Sequence, residues 1–473
     1  MSAATIVGSG PNGLSAAIIL AEAGFEVEVR EAQSTYGGGA RSGELTLPGF
    51  LHDLGSAVYP LGVSSPFFSS LPLDKHGLRW IQPPVPLAHP FDDGGAVLVE
   101  RDLSATARQF GSDRQAYFDL FDPLVRHWQP LVAELLRPVI HLPRRPFLFA
   151  AFGLDAIQPA HSFITRKFRE ARAQTVLAGL AAHSILPLKY PLTTAFPLMF
   201  GAAAHAAGWP IAAGGAQSIS NALAGVLTSL GGRILTNSPV DSLDALPTRD
   251  LILCDVTPRQ FLSLAGDRLT DSYRDSLKGY RYGPGAYKVD WALSQPIPWR
   301  AVECARAGTV HLGGSLEEIT ASESAAWRGE HVDKPFVLLS QPSLFDPSRA
   351  PQGKHTAWAY CHVPNGSTVS MLSRIESQIE RFAPGFRDCV LARKVYAPAD
   401  LEAVNANLVG GDVNGGAFTI KQFVARPTLR RYSTPLPRVY LCSSSTPPGG
   451  AVHGMCGYFA ALAALHHRDR RPV

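Results

Sequence analysis

At 473 residues the chain is too long for one hydrophobic core, which stops growing near about 250–300 residues, and it is expected to divide into two or three packed units. A hydrophobic fraction of 46% against 17% charged residues is apolar for a soluble protein, yet no run approaches the roughly 18 uninterrupted apolar residues of a bilayer span. The net charge of +4 is too small and dispersed for a nucleic-acid footprint, so no nucleic-acid partner is expected.

The chain opens on a short apolar run, Ala4 to Val7, that leads straight into Gly8-Ser9-Gly10-Pro11-Asn12-Gly13 and then into a small-residue helical stretch, Leu14 to Ala23, ended by Gly24. Phe25 to Arg30 alternates like a second strand and stops at Glu31. Strand, glycine turn, helix, strand and acid in this register predict a dinucleotide-binding βαβ unit. Gly8 makes the tight turn, Gly10 lets backbone approach a pyrophosphate and Gly13 lets helix and strand pack closely. Pro11 and Asn12 open the helix whose free N–H groups face the phosphates. Glu31 stands where a carboxylate accepts hydrogen bonds from the adenosine ribose. A second glycine loop follows within a few positions, and its Gly38, Gly39, Ala40, Arg41 and Ser42 suit a cofactor that runs on past the first loop, which points to FAD rather than NAD. Phe50 to Ser56 is expected to shape the isoalloxazine pocket, with Asp53 reading equally as a turn residue.

From Leu103 to Leu136 the pattern turns helical, and the segment to about Tyr190 is rich in Pro, Leu and Phe. The apolar stretch 130–200, where Arg144 and Arg145 stand beside Phe147, Leu148 and Phe149, has two readings. It is either a helical cap over an ordinary core or a surface in a membrane interface that gives a lipid-soluble substrate access. Gly214-Gly215 opens a helix to Leu230, Gly231-Gly232 ends it, and Arg233 to Thr236 returns as a strand. A strand-rich region from Gly285 to Trp358, a helix from Thr368 to Phe382, a strand at Val439 to Leu441 and a final helix from Gly454 to His466 complete the expected elements. Gly449, Gly450 and Gly454 precede or open that helix, where backbone can come close to a ligand and the free N–H groups of the helix start favour negative charge.

Gly8 to Gly13, Glu31, the Gly37 to Ser42 loop and Asp53-x-Gly55-Ser56 together resemble the phytoene desaturase and flavin amine oxidase superfamily. The resemblance continues through Pro210 to Gly215, Gly231-Gly232-Arg233-Ile234 and a terminal Pro-Gly-Gly motif within Thr446 to Gly457, and so spans nearly the whole chain. Tyr282 to Trp291 and Gln422-Phe423-Val424-Ala425-Arg426-Pro427 are most similar to the desaturase-related branch labelled pyridine-nucleotide-disulphide-oxidoreductase-like. The resemblance implies FAD as cofactor, a backbone contact from Val240 to the adenine, and Gly449, Gly450, Val452 and Gly454 around the flavin. It also implies hydride transfer between a carbon–carbon bond of a hydrophobic isoprenoid or polyene-type substrate and flavin N5. A flavin amine oxidase and a non-catalytic prenyl or lipid carrier of the same fold are the alternatives; Gly8, Gly10, Gly13, Glu31 and Gly450 argue against the carrier. The chain departs from its relatives at Ser443 and Ser444, where they have Gly or Ala, and at Pro447, where they have His; these side chains are expected to crowd the flavin tail.

His453, inside the flavin loop, is the catalytic candidate, because a neutral imidazole can exchange a proton near physiological pH. His362 and Tyr287 read as packing residues. Lys288 resembles an amine-oxidase lysine but sits in a different motif and is set aside. The six cysteines show no Cys-x-x-Cys or zinc spacing, so no metal site is expected; they read as buried small hydrophobes of a reducing compartment. With a strand starting almost at Met1, no leader is expected, and the location expected is cytoplasmic, with peripheral membrane contact tied to the apolar insertion. The fold class expected is α/β: a discontinuous Rossmann-like FAD-binding domain from 1–105, 211–284 and 425–473, a helical cap at 106–210, and a mixed-sheet substrate domain at 285–424.

Overall fold

The strand Ala3–Val7 runs out at Gly8, whose φ of +95° turns the chain into the helix Pro11–Glu22. Pro11 suits that start, since its fixed φ is already helical and its missing N–H is not needed in the first turn. The strand Glu26–Arg30 returns parallel beside the first, and Arg233–Leu235 pairs parallel beside it in turn. On the other side lie Leu251–Cys254 and then Val439–Leu441, again parallel. One five-stranded sheet therefore draws on the start, the middle and the end of the chain. The closing helix, Met455–Asp469, crosses the opening one so tightly that any side chain at Gly457 would overlap the Asn12 carbonyl. The computed structural model describes residues 2–247 and 249–469.

A second sheet has seven strands, in the order Val390–Tyr396, Gly285–Leu293, His355–Val363, Val337–Ser340, Ala307–Leu312, Val85–Pro90 and Ala96–Val99. It is mixed: Ala307–Leu312 and Val85–Pro90 run parallel, their neighbours antiparallel. The α/β architecture with one parallel and one mixed sheet is the one expected, but the first segment divides differently. Residues 85–99 were expected with the 1–105 part of the FAD-binding domain, whereas their two strands hydrogen-bond into the mixed sheet. The run Val85-Pro86-Leu87-Ala88-His89-Pro90 is buried throughout, and it is paired on both sides, with Ala307–Leu312 and with the edge strand Ala96–Val99.

The period of two along these strands sorts their side chains. On Gly285–Leu293, Tyr287, Val289, Trp291 and Leu293 join an apolar cluster behind the sheet, which leaves Ala286, Lys288 and Asp290 for the other face. On His355–Val363, Ala357, Ala359 and Cys361 go to that same cluster and Trp358 and Tyr360 oppose them. The face so defined looks toward the parallel sheet.

The helical pattern expected from Leu103 to Leu136 is three helices, Leu103–Arg108, Arg114–Arg126 and Trp128–Leu135. Asp102 caps the first by accepting from the N–H groups of Ser104 and Ala105, and Gly111, at φ +51°, breaks the chain before the second. Four more helices follow, Pro146–Ala156, Ala160–Lys167, Ala171–Ala182 and Ala195–Ala206. The helix expected from Thr368 begins only at Leu372, because Gly366 at φ +70° and the Ser367 hydroxyl, which accepts from Val369 N–H, hold the preceding residues in a turn. The six cysteines are all buried and unpaired.

Candidate active site

In open parallel sheets, ligands sit beyond the carboxyl ends of the strands. There, a cavity of about 1000 Å³ begins at Val7 and Gly8, Arg30 and Glu31, and Asp255, and reaches across to Ala286, Lys288, Trp358 and Tyr360 on the mixed sheet. That volume is at the upper end of the roughly 300–1,000 Å³ usual for ligand pockets.

At the parallel-sheet end, Gly8, Gly10, Pro11, Asn12, Glu31, Gly38, Gly39, Ala40, Arg41 and Val240 all line the cavity. Gly10 and Gly38 are steric requirements. A Cβ on Gly10 would lie 2.7 Å from Asp255 Oδ2 and one on Gly38 would lie 2.9 Å from Gly10 Cα, while Gly39 faces open space. Gly13 does not line the cavity; a side chain there would overlap the Gly8 carbonyl, which is the strand–helix packing role expected of it. Glu31 takes hydrogen bonds on Oε2 from the N–H and hydroxyl of Ser9 and on Oε1 from Gln33 N–H at 2.9 Å. Arg41 ties the second glycine loop together, donating from Nε to Gly38 O at 2.8 Å and from Nη2 to Val404 O at 2.6 Å.

Two expected members of this group face elsewhere. Ser42 donates to Asp53 Oδ1 at 2.7 Å and accepts from Gln217 N–H at 3.1 Å. Asp53 itself ends the strand Leu51–Asp53, where its carboxylate meets Arg349 Nη2 at 2.8 Å and Nη1 at 3.2 Å and accepts from Ala216 N–H at 2.7 Å. Both members of that ion pair are buried. It locks the substrate-side segment to the helix start that follows Gly214-Gly215.

At the other end, Gly450, Val452 and His453 line the cavity and Gly449 and Gly454 do not. Gly449, at φ +118°, backs onto the Phe418 ring, and Gly454, at φ +70°, onto Ser15 and Phe68. Their freedom lets the loop close against the opening helix. His453 is buried, its Nδ1 accepts Met455 N–H at 3.0 Å, and burial outweighs the carbonyls of Gly450 and Gly449 to pull its pKa down to about 4. The ring is a neutral brace at the helix entry. Ser443 turns away and donates to Val256 O at 2.7 Å, so of the two serines expected to crowd the flavin tail only Ser444 reaches the cavity.

Sequence reasoning missed three kinds of residue here. Asp255 sits at the mouth of the glycine turn, its Oδ2 accepting from Gly13 N–H at 2.9 Å; burial, with repulsion from Glu31, raises its pKa to about 7. The signal was its place just after the apolar run Leu251–Cys254, beside the fingerprint strand. Lys288, set aside on motif grounds, lines the cavity and is ion-paired with buried Asp290. Finally, Phe149, Phe152, Phe196, Phe200, Trp209 and Phe418 coat the walls beyond the glycines; in sequence they are indistinguishable from core.

Residues 6–70 match the NAD(P)-binding Rossmann-like domain family. The chain is 26% identical to pyridine nucleotide-disulfide oxidoreductase domain-containing protein 2 of Mus musculus, over 97% of this chain and 92% of that one. It is 23% identical to the lycopene-forming phytoene desaturase of Pantoea ananas, over 99% and 100%. The chain is an FAD-type Rossmann oxidoreductase. Among solved structures, this oxidoreductase superposes on one from Methanosarcina mazei with a TM-score of 0.66 at 16% identity, covering 98% and 99% of the two chains, a likeness of fold.

The residues present fit the cofactor: two glycine loops leave room where side chains would intrude, and Glu31 offers its carboxylate at the end of the second strand.

Proposed function

We propose that this oxidoreductase moves hydrogen between FAD and a carbon–carbon bond of a hydrophobic, polyene- or isoprenoid-type molecule. The observation that carries the reading is the continuity of one cavity, glycine-lined at the parallel sheet and walled by Phe149, Phe152, Phe196, Phe200 and Trp209 beyond it. Gly8 to Asn12 and Gly38 to Arg41 hold the pyrophosphate and ribityl chain, Glu31 the ribose, Val240 the adenine, and Gly450 to Val452 the flavin. When bound, FAD supplies the hydride acceptor or donor. The chain's own part is to hold the apolar molecule dry beside it and to exclude water from that space. His453, neutral and hydrogen-bonded along its loop, shapes the flavin end; we assign it no proton.

An amine oxidase would use the same cavity differently, holding an ammonium group among aromatic faces. Trp358 and Tyr360, the ring pair on the mixed sheet, stack at 5.6 Å and 8°, which leaves no room for a cation between them. No single helix among the described residues is long and apolar enough to cross a membrane. The helix Pro146–Ala156 instead has two faces. Phe149, Phe152 and Ala156 line the cavity, while Phe147 is 90% and Leu154 70% exposed, near Leu142 at 91%. Exposed Arg144 and Arg145 flank this patch. We assign it to contact with a lipid surface, from which the substrate enters.

The test is the visible spectrum of the purified protein before and after anaerobic addition of a polyene lipid extract and, separately, of a panel of primary amines. Flavin bands that bleach with the lipid support the reading. Bleaching with the amines alone, or a colourless protein that takes up no FAD, overturns it.

A further inference from the structure

Four histidines cluster behind the apolar arm of the cavity. His183, the residue after the helix Ala171–Ala182, is the one that lines it, with its ring against Phe200 at 4.9 Å and Trp209 at 5.6 Å between centroids. Its Nε2 turns inward and lies 3.1 Å from Nε2 of His311, so one proton is shared between them. His311 and His89 are fully buried, and the Nδ1 of each has no protein partner. Both of these nitrogens point at Gly179, where a Cβ would lie 2.8 Å from the first and 3.5 Å from the second. His89 is held from its other nitrogen, donating Nε2–H to Gly313 O at 2.6 Å. His362 lies within electrostatic reach of His183 and pairs with buried Glu323 at 2.8 Å.

A pocket for a pure hydrocarbon gains nothing from an imidazole in its wall, where Leu or Phe would add contact without desolvating two ring nitrogens. Among the described residues no three His, Cys, Asp or Glu side chains are placed to hold a metal ion, so the cluster acts through hydrogen bonds. Burial keeps the rings of His183, His311 and His89 neutral: it pulls His183 to about 3, His89 to about 4 and His311 well below the usual range. A neutral ring whose Nε2 is engaged by His311 has Nδ1 left for the cavity, as donor or acceptor according to tautomer. A hydroxyl complements either, because it donates and accepts.

We infer that His183 receives a terminal hydroxyl of the substrate, so that the molecule this cavity selects is a polyene or isoprenoid alcohol rather than a hydrocarbon. His183 is then the residue that determines specificity, and His311 is the positioning residue that holds its ring. The inference rests on the apolar-substrate reading above and adds the end group to it.

The experiment measures binding without turnover. The flavin-containing protein is titrated with all-trans-retinol and with the hydrocarbon lacking its hydroxyl, read by quenching of tryptophan fluorescence, since Trp209 packs on His183. The wild type should bind the alcohol roughly five- to tenfold more tightly, the worth of one neutral hydrogen bond. His183→Phe should erase that preference by weakening the alcohol alone, and His183→Gln should restore part of it. His311→Phe should reduce the preference although it touches neither probe. Equal affinities for both probes in the wild type, or an unchanged preference in His183→Phe, overturns the assignment of His183 while leaving the apolar cavity intact. Failure of both probes to bind overturns the apolar-substrate reading and this inference with it.

Discussion

The carboxyl of Asp255 accepts the N–H of Gly13 at 2.9 Å, at the point where the opening helix presents its amide groups to a ligand. Burial and the nearby Glu31 raise its pKa from 3.8 to about 7, against the backbone N–H groups of Gly13 and Gly10, which lower it. Below about pH 4 the group is protonated folded or unfolded and contributes no pH dependence. Between there and about pH 7 only the folded state keeps the proton, so stability falls as pH rises and levels off above the folded pKa. Asp290, pushed to about 6 by burial, adds a slope of the same sign; the difference between wild type and Asp255→Asn isolates Asp255. In the flavin-free protein, Asp255→Asn should be more stable than wild type by roughly 2–4 kcal/mol at pH 8.5 and by much less at pH 4.5. Urea unfolding midpoints at the two pH values check this; equal gains at both would exclude titration of Asp255 as the cause.

Gly10→Val places a side chain on the approach path of the pyrophosphate and against Asp255 Oδ2. It should leave the protein without flavin, read as the ratio of visible to 280 nm absorbance after purification, while far-ultraviolet dichroism stays that of the wild type. Gly24→Ala is the control: Gly24 also has a positive φ, of +83°, but no atom stands within 4 Å of its would-be Cβ. Its flavin content should be unchanged, with a stability cost of about 1 kcal/mol from backbone strain alone. Full flavin occupancy in Gly10→Val would remove this loop from the binding site.

The fold was legible where the determinants are local. Gly8, Gly10 and Gly13 announce themselves because one turn and one helix crossing use all three, and Glu31 because the next strand fixes its distance. Asp255 and Arg349 were not legible, because their partners Gly13 and Asp53 lie 242 and 296 residues away in sequence; a charged residue after a short apolar run looks the same whether it meets solvent or a buried backbone amide. The strand Val85–Pro90 joined a sheet formed mostly by residues beyond 285 for the same reason. Gly449 and Gly454 were read as flavin contacts from their motif, but a glycine pattern does not say which side of the loop needs the space, and here it is the packed side.

Arg349 and Asp53 form a buried bidentate pair, with Asp346 holding the guanidinium at Nε from 3.2 Å. Removing one partner leaves an uncompensated buried charge, so Arg349→Met should lower unfolding stability by about 3–5 kcal/mol. Asp53→Asn, which keeps a hydrogen-bonding group, should cost less. Double substitution to Met and Leu should recover only part of the loss, because Ala216 N–H and the Ser42 hydroxyl then lose their acceptor. Denaturant midpoints of the single and double variants give the coupling. Additive losses would mean that the pair does not act as a unit.

The exposed side of the helix Pro146–Ala156 and the loop before it supply the last test. Burying Phe147 and Leu142 in lipid should contribute about 1.5–3 kcal/mol each, and Arg144 and Arg145 about 1 kcal/mol each near an anionic surface. These sum to stable, salt-sensitive binding to vesicles that contain anionic phospholipid, and weaker binding to neutral ones. Replacing Phe147 and Leu142 together by Glu should abolish co-sedimentation with either vesicle, whereas Arg144→Ala with Arg145→Ala should weaken only the anionic case, by roughly ten- to thirtyfold. Neither change touches the glycine loops, so flavin content serves as the internal control for folding. Because Phe149 and Phe152 on the same helix line the cavity, the Glu variant should also slow delivery of substrate from vesicles without changing the rate for substrate presented in detergent. Undiminished vesicle binding in the Glu variant would mean that this patch is not what meets lipid.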